Sequence, residues 1–231
     1  MIRISHKNIE TPIYPDLQAP LILSVENSTE YYRFAAQLKA AFSGEESDFS
    51  FWDGDRAIAP ERYGELVLSP FYFDAADKRI TNLLHKKLTA EYHDGAYITE
   101  FNAILTKIEK FLFDLCMTVD FATGQDALSL EGLLKACNVR PSNTFDSLIE
   151  KLICYINVLI ELKSLSFFVL VGFCDVLSEE ELSALYRHCA LMKVGLVLLE
   201  RGRVQKHTGK EKRIIITEDL CEIVENMPEL W

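Results

Sequence analysis

No apolar stretch in this 231-residue chain can cross a bilayer: the longest run, Phe167 to Phe173, falls far short of the roughly 18 to 20 residues required. The opening residues, Met1-Ile2-Arg3-Ile4-Ser5-His6-Lys7, lack the apolar centre of a signal peptide, so no membrane association and a cytoplasmic location are expected. The six cysteines include no C-x-x-C pair, which argues against zinc and disulfides and for free thiols buried among apolar neighbours. Positive charge is scarce too. Against 35 Asp and Glu stand 24 Lys and Arg, a net charge of −11, and such a balance argues on average against a nucleic-acid partner.

Motifs of catalysis are missing as well. There is no G-x-S-x-G elbow, and the five histidines have no patterned partner. His188 and Cys189 are adjacent, but neighbouring helix residues point about 100° apart, so one exposed and one buried side chain is the simpler reading. The turn Val25-Glu26-Asn27-Ser28-Thr29 offers neither the glycine nor the lysine of a phosphate loop, and Glu26 has the wrong sign. Asp53-Gly54-Asp55 lacks the ligand spacing of an EF-hand and reads as a solvated turn. Asp120 and Asp126 bracket a polar hinge, where helix capping competes with binding of a hard cation.

What remains is a core-forming chain, 49% hydrophobic and free of repeats. Leu21-Ile22-Leu23-Ser24-Val25 reads as a buried strand feeding a helix that Asn27 caps and Gly44 ends. Phe49 to Trp52 and Leu66 to Leu68 are further strands, and a helix runs from about Ala75 to Tyr92. From Tyr97, the apolar residues Phe101, Ile104, Leu105, Ile108, Phe111, Leu112 and Leu115 step by three and four along one helix face. A shorter helix lies near Leu128 to Ala136, and a second long one follows Asn143. Two stripes this wide leave apolar surface for another subunit. Phe167 to Val171, a helix capped by Ser178 with Glu181, Gly195 to Leu199 and Arg213 to Thr217 complete a strand-helix-strand pattern of a mostly parallel sheet. The expected architecture is an α/β head, residues 1–92 and 164–231, interrupted by an α-helical leg, residues 93–163.

One stretch opposes the acidic average. Between Arg201 and Arg213 stand Arg201, Arg203, Lys206, Lys210, Lys212 and Arg213 against Glu211, a surplus of five that leaves −16 on the rest of the chain. Arg and Lys on a loop with two glycines suit phosphate contacts, while a solvated loop is the bland alternative. Lys86 and Lys87 form a second basic pair, on the helix from Ala75.

Three segments carry a family resemblance. They are Phe167-Phe168-Val169-Leu170-Val171, Leu177-Ser178-Glu179-Glu180-Glu181-Leu182 and Leu196-Val197-Leu198-Leu199-Glu200, preceded by Thr144-Phe145-Asp146-Ser147-Leu148-Ile149-Glu150-Lys151 opening a long helix. Their order resembles the ring-forming, DNA-end-binding accessory family of type II-A CRISPR adaptation, one of the Csn families. The resemblance implies a degenerate NTPase-like head without a phosphate loop and a helical leg. It further implies a homotetrameric ring around double-stranded DNA ends, acting in spacer acquisition with the CRISPR integrase and the RNA-guided endonuclease. Calcium would sit near the hinges at Asp120 and Asp126. The eight basic residues named above are the expected phosphate contacts, and no catalysis is expected. A metal-dependent nuclease, a degenerate NTPase and a pure protein scaffold are the alternatives.

Overall fold

The structure, a computed structural model, describes residues 2–17, 19–93, 95, 97–121, 123–124, 127–206 and 208–225. It is mixed α/β. The chain divides into two compact units, residues 1–74 with 144–231, and residues 75–143.

The first unit is built on a six-stranded sheet. Its strands are β3 (Leu21–Val25), β6 (Gly64–Val67), β7 (Phe167–Val171), β8 (Gly195–Arg201), β9 (Lys212–Ile216) and β10 (Glu222–Glu225), in the order β10-β9-β3-β8-β7-β6. Five run parallel, and β10 pairs antiparallel with β9 at one edge. All five residues of β3 and of β7 are buried, as are the first six of β8. Strands covered on both faces must be apolar throughout, which is why these runs lack alternation.

A second sheet was not anticipated from the sequence. The strands β1 (Ile2–His6), β2 (Ile9–Ile13), β4 (Phe49–Asp53) and β5 (Arg56–Ala57) form an antiparallel sheet in the order β2-β1-β4-β5. Phe49 to Trp52 is thus a strand, as expected, but of this second sheet. One apolar core joins both sheets through α1 (Ser28–Phe42): Ile4, Ile13 and Phe51 gather with Phe34, Leu38, Leu23 and Val169. The Phe51 and Phe167 rings stack across it, with centroids 6.1 Å apart. Glu222 of β10 ties the sheets at the other side, its carboxylate accepting the Glu10 and Thr11 N–H groups at 2.7 and 3.1 Å.

Local caps follow the sequence closely. The Asn27 side chain accepts the Thr29 and Glu30 N–H groups at the start of α1. Ser178 and Glu181 close a reciprocal capping box on α6 (Glu179–Met192), whose Leu182, Leu185, Tyr186 and Cys189 face inward. Only Cys174 and Cys189 of the six free thiols are buried, whereas Cys137 and Cys221 are exposed, so the expectation of six buried thiols is corrected.

Helix α5 (Leu148–Lys163) falls in the first unit, although the sequence reading placed it in the 93–163 leg. Its Leu152, Tyr155, Ile156 and Leu159 are buried. Tyr155 Oη donates to Glu65 of β6 at 3.0 Å, and Lys163 Nζ lies 3.2 Å from the same carboxylate. The second unit holds α2 (Lys78–His93), α3 (Ile98–Cys116) and α4 (Leu130–Ala136). Within it, His85 Nε2 meets the Val139 carbonyl at 2.7 Å. Helix α3 buries none of its residues, and its Phe111 and Phe113 are 65% and 61% exposed. No helix of the described residues is long and apolar enough to cross a membrane.

Two glycines mark close approaches between these elements. A Cβ on Gly195 would lie 2.4 Å from the Pro15 carbonyl oxygen, and one on Gly64 would lie 2.4 Å from the Phe167 ring. Gly195→Ala should therefore cost about 1–3 kcal/mol, as overpacking against backbone does. Urea denaturation checks this, and an unchanged midpoint would show that Pro15 is not pressed against the start of β8.

Candidate nucleic-acid interface

The basic stretch spans the end of β8, residues 202–211 and the start of β9. Gly202 and Gly209 take left-handed backbone, φ 71° and 78°. Because β9 is buried on both faces, Arg213, its second residue, points into the protein and is 2% exposed. A guanidinium there requires partners. Its Nη1 donates to the Val204 carbonyl at 2.7 Å, and Nη2 donates to the Lys206 carbonyl and to Glu211 Oε1, the latter at 2.7 Å. Glu211 is itself buried and also accepts from Thr208 Oγ1, at 2.5 Å, and from the Thr208 and Lys210 N–H groups. Burial acts to raise its carboxyl, but the hydrogen bonds from Thr208, Arg213 and the backbone outweigh it and hold the group below the usual carboxylate range.

Lys206 also turns to the protein. Its ammonium donates to the carbonyls of Cys174 at 2.6 Å, Asp175 at 3.3 Å and Leu177 at 2.7 Å, gripping the connection from β7 to α6. Lys212 pairs with Asp16 at 2.9 Å and stays partly exposed. Lys206 and Arg213 are thus committed to holding the loop, and as placed they are not offered to phosphate. The other three cations face solvent. Arg201 donates to Ser28 Oγ at 2.9 Å, Arg203 lies 4.0 Å from Glu26 and 3.8 Å from Glu225, and Lys210 has no side-chain partner among the described residues. Ion pairs at such length and exposure contribute little and can be exchanged for phosphate. Lys86 is exposed and Lys87 half-buried on α2, in the other unit.

At the hinge, one of the two acids expected to hold calcium is described. Asp120 is exposed beyond the end of α3, beside Phe113, Met117 and Phe121, and Asp126 lies outside the described residues. Among the described residues, no three His, Cys, Asp or Glu side chains gather as a metal site would need.

The turn from β3 to α1 is occupied by its own cap. Asn27 fills the helix start, and Glu26 accepts the Glu218 N–H at 3.3 Å. Nearby stands a residue that sequence reasoning passed over. Glu200, in β8, is buried and its Oε1 accepts the Phe173 and Cys174 N–H groups at 2.9 and 3.0 Å. Burial pushes its carboxyl up to about 7, against the downward pull of those hydrogen bonds. A glutamate directly after the apolar run Leu196 to Leu199 was the available signal. Cys189, beside the half-buried His188, has its thiol pushed up to about 12 by burial, and His188 instead meets Asn157 at 2.7 Å. That pair is no nucleophile and base.

Residues 41–220 match the family model described as CRISPR-associated protein (Cas_Csn2). The chain belongs to the Csn2 family of CRISPR-associated proteins. The matched segment runs from the end of α1 past β9, so it includes the helical unit and the whole basic stretch. Membership in the Csn2 family gives the chain a CRISPR-associated role. No curated protein matches it.

Two outcomes test this geometry. Glu211→Ala leaves the Arg213 guanidinium buried without its carboxylate and should cost about 3–5 kcal/mol, read by urea denaturation. A cost under about 1 kcal/mol would mean that the loop is not held this way. For Glu200, the raised value means that the folded state binds more protons than the unfolded state between about pH 4.5 and 7. Its contribution is therefore fully present below the lower value and lost as pH rises through the upper, by up to about 3 kcal/mol. Glu200→Gln should gain on the parent protein between pH 5 and pH 8, and parallel stability curves for the two proteins would refute it.

Proposed function

We propose that the chain is a non-enzymatic subunit of a homotetrameric ring that holds double-stranded DNA ends during CRISPR spacer acquisition. Its partners there are the integrase and the RNA-guided endonuclease. The observation that carries the reading is the match to the Csn2 family over residues 41–220. The charge layout supports it: on a −11 chain, Arg201, Arg203 and Lys210 turn outward within a short span. Phosphate attraction is local, screened beyond about 8 Å at physiological salt, so a small patch repeated around a ring can grip DNA despite the average charge. The unburied apolar stripe of α3 supports assembly, since residues such as Phe111 and Phe113 gain most by being covered. On this reading the parallel sheet is a degenerate NTPase-like head, in which Asn27 caps the helix where a phosphate loop would cradle an anion.

Binding should be independent of sequence and fall steeply with salt. The triple variant Arg201→Glu, Arg203→Glu and Lys210→Glu should lose linear-duplex retention at least tenfold in a gel-shift assay while its melting temperature stays near that of the parent. Closed circular duplex should be retained far less than linear duplex. Equal retention of the two forms would sink the end-threading mechanism, and unimpaired binding by the triple variant would remove this patch from it.

A further inference from the structure

One cavity of the first unit lies at the start of β9, where Lys212 of the basic stretch forms part of its lining. It has a volume of about 720 Å³, within the roughly 300–1,000 Å³ of small-molecule sites. It opens at the amino ends of the parallel strands. Tyr63 precedes β6, Ser166 precedes β7 and Phe167 begins it, Lys193 precedes β8 and Lys212 begins β9; Ile2, Asp53 and residues 14–17 complete the lining.

Two features make this cavity a built site. Its walls are strand starts fixed by backbone bonds, Ser166 N–H to the Tyr63 carbonyl at 2.7 Å and Gly195 N–H to the Ser166 carbonyl at 2.9 Å. The glycines at positions 64 and 195 are where those walls meet in contact: Phe167 lies against Gly64, and Pro15 against Gly195. Phe167 is fully buried and further locked by its stack on Phe51. The site is preformed, so little ordering is needed on binding.

The lining chemistry selects the ligand. Tyr14 and Tyr63 present aromatic surface, and Leu17 adds an aliphatic one. Of the charged groups, Lys212 and Asp16 neutralise each other at 2.9 Å, and Asp53 is also engaged. Lys193 differs. It is exposed, held at the carboxyl end of α6 in left-handed backbone, φ 57°, and its ammonium has no partner among the described residues. A cation lining the same cavity as two tyrosines, with the acids already engaged, calls for an anion on a flat body.

We infer that this cavity binds a small molecule with a planar aromatic body and one anionic group, the ring against Tyr14 and Tyr63 and the anion on Lys193. This site is independent of the DNA-end reading. Titration calorimetry with naphthalene-1-sulfonate, its neutral sulfonamide and inorganic phosphate separates the two halves of the claim. The sulfonate should bind below millimolar, with the sulfonamide at least tenfold weaker and phosphate alone weaker still. Lys193→Met should erase the difference between sulfonate and sulfonamide, Lys193→Arg should keep it, and Tyr14→Ala should weaken both. No binding of the sulfonate at millimolar concentration, equal affinity for sulfonate and sulfonamide, or sulfonate binding untouched by Lys193→Met would each overturn the inference. The last outcome would place the dye on exposed apolar surface such as that of α3.

Discussion

A guanidinium inside an apolar sheet must have its charge met, and Arg213 draws its own loop around its two Nη groups, while its buried Nε has no hydrogen-bond partner among the described residues. Two of its contacts are carbonyls of that loop, and its counter-charge is Glu211, two residues before it on the chain. The loop shape follows from the need to satisfy this one group. Once residues 204–206 are drawn in, the Lys206 ammonium reaches the carbonyls after β7 and fixes the start of α6. Glu200 holds the same segment from the sheet side through two N–H groups. The loop and the start of α6 are therefore held to the sheet by an Arg213–Glu211 pair at the start of β9 and by Lys206 and Glu200 on backbone groups.

This changes what the local charge means. Six cations in thirteen residues read in the sequence as one mobile basic patch. In the fold they divide: Arg213 and Lys206 stabilise the loop, Lys212 sits in an ion pair with Asp16, and Arg201, Arg203 and Lys210 face outward. The surplus that can meet a polyanion is smaller than the count, but it is presented on a fixed frame. A pinned loop loses less entropy when it engages a ligand than a free one does.

Most of the fold was legible because it rests on patterns of short range. The buried runs of β3, β7 and β8, the Asn27 and Ser178 caps and the long helical stripes are recognisable within windows of five to twenty residues. The antiparallel sheet was missed because β1 and β2 are short and mixed. Ile9-Glu10-Thr11-Pro12-Ile13 contains a proline, and His6 takes an inward position by packing 4.3 Å from the Phe34 ring rather than by being apolar. Helix α5 was assigned to the leg since neighbouring helices read alike. Its place in the first unit depends on Tyr155 and Lys163 meeting Glu65 about ninety residues earlier. Of the candidate site, residue identity was readable and orientation was not.

By itself the sequence determined the class of fold, the caps and lengths of its main helices, the absence of a phosphate loop and the location of the basic stretch. These follow from local periodicity and side-chain chemistry. Only the tertiary structure decided which cations turn inward. Strand β9 is covered on both faces, so the fate of Arg213 depends on what lies above and below it. Likewise the cavity at Lys193 exists only where starts of strands distant in the chain come together. Both are properties of pairing between remote segments, for which no short window of sequence carries the signal.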